Sequence, residues 1–133
     1  MVKATHKQPP EIVAFGEAMV EFSQRSAGGT DYLQGYGGDT SNFCIAAARQ
    51  GANTGFISAV GGDRFGRLLL ELWQQENVDT SAVRIDESAH TGVYFVSHGP
   101  GGHHFEYLSR RPSGLRKTKH STNSLAHRTT WLR

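Results

Sequence analysis

Residues 56–73, Phe56-Ile-Ser-Ala-Val60-Gly61-Gly62-Asp63-Arg64-Phe65-Gly66-Arg67-Leu68-Leu69-Leu70-Glu71-Leu72-Trp73, decide the fold. Phe56 to Val60 is an apolar run of strand length, and Gly61-Gly62 closes it. Asp63 then stands where the first turn of a helix needs a side chain to accept its free N–H groups. Behind it Phe65, Leu68, Leu69, Leu72 and Trp73 recur at helical spacing on one face, with Arg64, Arg67, Glu71 and Gln75 mostly off it. A strand that feeds an amphipathic helix is the repeating unit of an α/β fold.

The same order stands upstream. Glu11-Ile-Val-Ala-Phe-Gly16 has the pattern of a buried strand that turns sharply, and Met19-Val-Glu-Phe-Ser23 continues in extended-type residues. After the loop Ala27-Gly-Gly-Thr30, Tyr32 to Tyr36 alternates like a half-exposed strand. Gly37-Gly38 then leads to a helix predicted over Phe43–Gln50, with Thr40 or Ser41 as its N-cap and Gly51 just past its end. Strand and helix in alternation imply parallel crossover units. Downstream, Val83–Ile85, Gly92–Val96 and His104–Leu108 read as three short strands of a small antiparallel appendage, with Pro100-Gly101-Gly102 as a hairpin turn.

Charge divides the 133 residues in two. Residues 1–108 hold all twelve acids and seven of the fourteen Lys and Arg, a formal −5; residues 109–133 hold the other seven and no acid, a formal +7. Leu115, Leu125, Trp131 and Leu132 are scattered there without a period. A basic arm of this kind can bind nucleic acid through phosphates, but it carries a single aromatic and no recognisable motif, so no nucleic-acid partner is expected. Cys44 is alone, which excludes an intrachain disulfide and fits a reducing compartment. No run approaches the roughly 20 apolar residues of a membrane span, and no signal-peptide pattern opens the chain. The expectation is a cytoplasmic protein without a membrane partner.

Few residues point to chemistry. Gly37-Gly38 before a helix lets a ligand approach the backbone and presents free N–H groups to it, although most such pairs are only tight turns. Tyr94 and Tyr107 each offer an apolar ring and a hydroxyl, which an ordinary strand tyrosine also does. Glu17 and Glu21 follow the first strand and could meet a ligand hydroxyl, but a solvated or helix-capping glutamate is the commoner case. His98, His103 and His104 lack a fourth ligand, so no metal site is expected. Cys44 lies among Ile45, Ala46, Ala47 and Ala48 and reads as a small buried thiol.

Several motifs agree in order and spacing with one family. Gly37-Gly38, Asn42, Gly51 and Gly61 stand at the spacing of the N-terminal signature of ribokinase-like (PfkB-type) carbohydrate kinases, and Val60-Gly-Gly-Asp-Arg-Phe-Gly66 resembles that family's second strand-to-helix junction. Gly16-Glu-Ala-Met-Val-Glu-Phe22, Gly37-Gly-Asp-Thr-Ser-Asn42, Glu76-Asn-Val-Asp-Thr-Ser81 and Thr91-Gly-Val-Tyr94 most resemble 2-dehydro-3-deoxygluconate kinases, with fructokinase or another sugar kinase of the family as the alternative. The resemblance covers residues 11–108. It implies the N-terminal part of a ribokinase-like three-layer α/β fold with a small antiparallel β lid. It further implies that Gly37, Gly38 and Asn42 form a rim around a small-molecule sugar acid, that Tyr94 and Tyr107 face the sugar from the lid, and that lids pair between subunits.

The resemblance also implies ATP and Mg2+ as cofactors of the intact relative, held with the catalytic base in a Gly-Ala-Gly-Asp run. Neither that run nor a Gly-x-x-x-x-Gly-Lys-Ser/Thr loop occurs here, so no catalytic residue is assigned and this chain is expected to bind neither cofactor well and to transfer no phosphate. Residues 1–10 are expected to be disordered and residues 109–133 to be a disordered basic tail outside the family pattern. Relatives would continue Arg-Ala-Gly after Leu108; permitted codons for Ser109 to Pro112, read one base later, give that tripeptide. The expectation is a frameshift near Ser109, which leaves Arg110 one place from where a carboxylate-gripping arginine belongs. A half sheet left in this way exposes an apolar edge and helix-packing surface and tends to aggregate. A non-catalytic sugar-binding fragment is the other reading.

Overall fold

The strand, Gly-Gly, Asp and helix unit forms as its residues dictate. A computed structural model describes residues 9–108, and in chain order its elements are β1 (Ile12–Phe15), β2 (Met19–Gln24), β3 (Tyr32–Gly37), α1 (Asp39–Arg49), β4 (Thr54–Gly61), α2 (Arg64–Gln75), β5 (Val83–Asp86), β6 (Val93–Gly99) and β7 (Gly102–Leu108). The expected frameshift, Arg110 and the basic tail lie outside the described residues, as do residues 1–8. Pro9 and Pro10, read as the end of a disordered arm, are tied in: Asn53 Nδ2 donates to the Pro9 carbonyl at 2.9 Å.

Two sheets result. β1, β4 and β5 form a three-stranded parallel sheet in the order β1-β4-β5, as expected of crossover units. β3, β2, β6 and β7 form a second sheet in that order. Its outer pairs, β2–β3 and β6–β7, are antiparallel hairpins, whereas the central β2–β6 seam is parallel. One correction concerns Val83–Ile85. Read as part of the appendage, these residues form β5 and extend the parallel sheet, with Val83 opposite Ser58 and Ile85 opposite Val60. Short strands of this kind carry no periodicity that names their partner.

The core lies where the helices cover one face of the parallel sheet. α1 packs on β1 and β4, and α2 on β4 and β2. Phe56, Val60, Leu69, Trp73 and Cys44 are buried there, and the rings of Phe56 and Trp73 sit 4.9 Å apart. α1 begins earlier than expected. Its N-cap is Gly38, at φ 114°, with no side-chain cap. Ser41, expected to cap, instead lies inside the helix, where its buried Oγ accepts from Trp73 Nε1 at 2.8 Å; joining the two helices outweighs capping one. The far end of α1 follows the expectation: Gly51 N–H donates to Ala48 O and Ala52 N–H to Ala47 O, a Schellman closure.

Asp63 does more than cap. Its Oδ1 accepts from Gly66 N at 2.9 Å and Thr91 Oγ1 at 2.8 Å, and its Oδ2 accepts from Thr91 N at 2.9 Å. Thr91 Oγ1 in turn accepts from Gly61 N. Burial alone would push the Asp63 carboxyl up; the hydrogen bonds from Gly66, Thr91 and Phe65 outweigh it and hold the group below the usual aspartate range. Asp63→Ala is expected to cost about 2 kcal/mol, a lost cap plus unpaired Thr91 donors, measured by urea unfolding. Because the folded pKa lies below the unfolded value of about 3.9, the charge-linked part of this contribution is complete above about pH 5 and is lost as pH falls below the unfolded value and through the lower folded one. The wild type and variant should therefore converge in acid.

The other face of the parallel sheet has no helix among the described residues. Paired residues share a face, and the pairs Val13–Gly55 and Phe15–Ile57 point there. Phe15 is 74% exposed, Val13 54% and Ile57 39%. Such a patch favours self-association. Phe15→Thr should lower light scattering of the purified chain while leaving the unfolding midpoint nearly unchanged, since no buried contact is lost.

Candidate functional site

Two chain segments meet on one face of the four-stranded sheet. Register places Gly35, Gly37, Glu21, Tyr94 and Tyr107 on the same face, because Gly35 pairs with Glu21, Glu21 with Tyr94, and Tyr94 with Tyr107. The rings of Tyr94 and Tyr107 stack with centroids 5.5 Å apart, and Phe105 continues the row. Tyr94 is only 8% exposed, whereas Tyr107 is 59% exposed and open to a ligand.

Glycine is required beside this row. A Cβ on Gly37 would run into the Tyr94 ring and hydroxyl, and one on Gly38 would meet the Glu17 carbonyl in a backbone conformation that only glycine adopts readily. Gly35 leaves ordinary contact distance to Glu21, with Oε1 3.7 Å from where its Cβ would be. The result is a shallow cradle with a backbone floor, aromatic walls and a carboxylate.

Glu21, a weaker candidate from its sequence alone, is tied into the cradle. It neither caps a helix nor stands free: Tyr94 Oη donates to its Oε2. Burial first, and the Glu21 carboxylate second, push the Tyr94 hydroxyl well above the usual tyrosine range, with Tyr107 and Asp39 adding to the shift. The alternation Met19, Glu21, Ser23 in β2 was a usable signal, because it places Glu21 on the face opposite the buried Val20 and the partly buried Phe22.

The other sequence candidates are distributed differently. Gly37, Gly38, Tyr94 and Tyr107 come together at or beside the cradle. Asn42 does not join them: exposed in the first turn of α1, it lines a groove with Tyr36, Ile45, Ala46, Arg49 and Leu72. Glu17 is exposed. Cys44 is fully buried, its Sγ 3.4 Å from the Gly55 carbonyl, and burial pushes its thiol up. His98 and His103 bring their Nδ1 atoms to 2.9 Å at the hairpin end, while His104 points to the other face. Among the described residues no group of three or more His, Cys, Asp or Glu could hold a metal.

A cavity of about 830 Å³ opens between Phe22, Phe65, Val93, Phe95 and Leu108, with Asp63, Arg64, His90 and Thr91 at its rim, and Tyr107 of the cradle row lines it as well. Its walls are largely apolar, and two of its polar groups, Asp63 and Thr91, are already bonded to each other. Volume favours this cavity and chemistry favours the cradle.

The sequence model of pfkB family carbohydrate kinases matches residues 9–127. The chain belongs to the pfkB family of carbohydrate kinases. That match runs past Leu108 into the segment set apart by its basic composition. A 2-dehydro-3-deoxygluconokinase of Thermoproteus tenax is 35% identical over 121 residues, covering 83% of this chain and 37% of the relative. A fructokinase of Salmonella typhimurium is 37% identical over 103 residues, covering 77% of this chain and 33% of the relative. Among solved structures, a sugar kinase of Pyrococcus horikoshii in complex with ATP superposes with a TM-score of 0.68 at 31% identity, covering 73% of this chain and 33% of its own. The chain thus spans little more than a third of the curated relatives' length, and its mixed parallel and antiparallel sheets match the ribokinase-like fold.

The pfkB assignment makes the cradle the site to probe. Gly37→Ala is expected to push the Tyr94 ring off Glu21 and Tyr107. Overpacking of this kind costs about 1–3 kcal/mol, read by urea unfolding, and the tyrosine near-UV circular dichroism should fall with it.

Proposed function

We propose that this chain is the sugar-binding portion of a kinase that uses ATP and Mg2+ to phosphorylate 2-dehydro-3-deoxygluconate, and that by itself it binds the sugar acid without transferring phosphate. The observation that carries the reading is the cradle itself, where the half-buried Gly38 and the exposed ring of Tyr107 stand beside the buried Gly37 and Tyr94. Tyrosine rings receive the C–H face of a sugar and their hydroxyls meet its polar edge. Similarity to the Thermoproteus tenax relative supports the substrate class. Asn42 belongs to the proposed rim only if the first turn of α1 shifts toward the cradle. Lids that pair between subunits would cover the exposed Phe105 and Leu108.

Phosphoryl transfer needs a positioned phosphate, charge to stabilise it and a base. The residues described here do not fit that cargo: they contain neither a phosphate-cradling Gly-rich run nor a set of magnesium ligands. No step through ATP is therefore assigned to them. A free and buried Cys44 suits a cytoplasmic setting.

Fructose is the second reading, favoured by the higher identity to the Salmonella typhimurium fructokinase over a shorter stretch. Calorimetric titration of the purified 133-residue chain separates the two. The sugar acid should bind at least about tenfold more tightly than fructose, a gap of about 1.4 kcal/mol, and no ADP should form with ATP and Mg2+ in a coupled assay. Fructose binding as tightly as the acid would hand the site to the second reading, and ADP formed in response to either sugar would overturn the inactivity.

A further inference from the structure

The cradle contains a hydrogen bond whose direction is fixed. Tyr94 has one hydroxyl proton, and an ionised carboxylate can only accept. Since Tyr94 Oη and Glu21 Oε2 are bonded, that proton is committed to Glu21. The stacked Tyr107 ring, the backbone of Gly37 and the burial of Tyr94 leave the phenol no room to turn away. What Tyr94 offers a ligand is lone pairs alone.

We infer that Glu21 is a positioning residue for sugar recognition: by taking the Tyr94 proton it makes Oη an acceptor, so the ligand group seated there is a hydroxyl and not a carboxylate or ketone. The inference rests on the sugar-binding reading above and adds an orientation to it. The hydroxylated end of a sugar acid lies over Tyr94, and its carboxylate lies away from Glu21, whose like charge would repel it. The direction of the Tyr94 shift agrees, since Glu21 on β2, Asp39 on α1 and Tyr107 on β7 all favour retention of the proton. Neutral and anionic sugars of equal hydroxyl pattern are thus read alike at this end of the site, and the discrimination between them falls elsewhere.

Glu21→Gln tests this with little change in shape. A glutamine amide offers Oη a donor as well as an acceptor, so the phenolic proton is no longer committed to residue 21. In the full chain, Tyr94→Phe should weaken 2-dehydro-3-deoxygluconate binding about tenfold, the size of one lost hydrogen bond to a well-placed group. Glu21→Gln should weaken it by up to that amount, since the glutamine oxygen competes with its NH2 for the phenol. The double variant should be no weaker than Tyr94→Phe, because Glu21 acts through Tyr94. Independently of any sugar, absorbance titration of tyrosinate should show one tyrosine ionising at lower pH in Glu21→Gln than in the wild type, and Tyr94→Phe should abolish that difference. Additive losses in the double variant would mean that Glu21 touches the sugar directly, and unchanged affinity in Glu21→Gln would mean that the pair does not face it; either overturns the inference. An unmoved tyrosine titration overturns it as well. Failure of the wild type to bind any sugar, with the titration difference present, would instead sink the proposed function and leave the Glu21–Tyr94 pair standing.

Discussion

Asp63 is the joint on which the rest of the structure turns. Its two oxygens gather Gly66 at the start of α2 and both donors of Thr91, while Thr91 reaches back to Gly61 at the end of β4. Three elements therefore converge on one carboxylate: the parallel sheet, the helix that covers it and the chain entering β6. A side chain at Gly61 or Gly66 would collide with this network, since Gly61 lies against the backbone of Ala89 and Thr91 and Gly66 against the Gly61 carbonyl. The Gly-Gly-Asp-x-Phe-Gly run is thus a single structural device, and the glycines in it are there for close approach.

From that joint the lid sheet inherits its position. Val20, Phe22, Val93 and Phe95 turn one face toward the core, where Phe22 meets the Phe65 ring edge-on at 5.9 Å and stacks on Phe95 at 5.4 Å. The opposite face is left to Glu21, Tyr94 and Tyr107. Packing on one side and chemistry on the other follow from the two-residue period of the strands. The site is consequently as rigid as the core behind it, which suits recognition of a small polar ligand.

Much of this was legible in the residues. The Asp63 cap, the α2 face, the Gly51 closure and the Pro100-Gly101 turn all follow from local stereochemistry, and local rules read them directly. The departures are long-range. Val83–Ile85 joined the parallel sheet because β4 offered an open edge, which nothing within three residues could announce. Ser41 left its capping role because Trp73, thirty-two positions on, needed a buried acceptor. Glu21 looked solvated because its partner, Tyr94, is distant in sequence. Of the candidate site, Gly37, Gly38, Tyr94 and Tyr107 were readable from a family pattern. Asn42, read from the same pattern, lies in the first turn of α1 and lines a different groove with Tyr36 and Leu72, because the turn that leaves Gly38 directs it away from the cradle.

The parallel β2–β6 seam has a consequence for biosynthesis. Val20 pairs with Val93, and Glu21 with Tyr94, so the hairpin β2–β3, complete at Gly37, must wait on a ribosome-bound chain until Val93 and the rest of β6 have emerged. During that wait its Phe22 side is wet and one edge is unpaired, the circumstance in which nascent chains recruit chaperones or tangle. Contacts so far apart also slow closure of the sheet. The earliest-made strand of the lid is therefore among the last to be completed, and the order of synthesis sets when the cradle first takes shape.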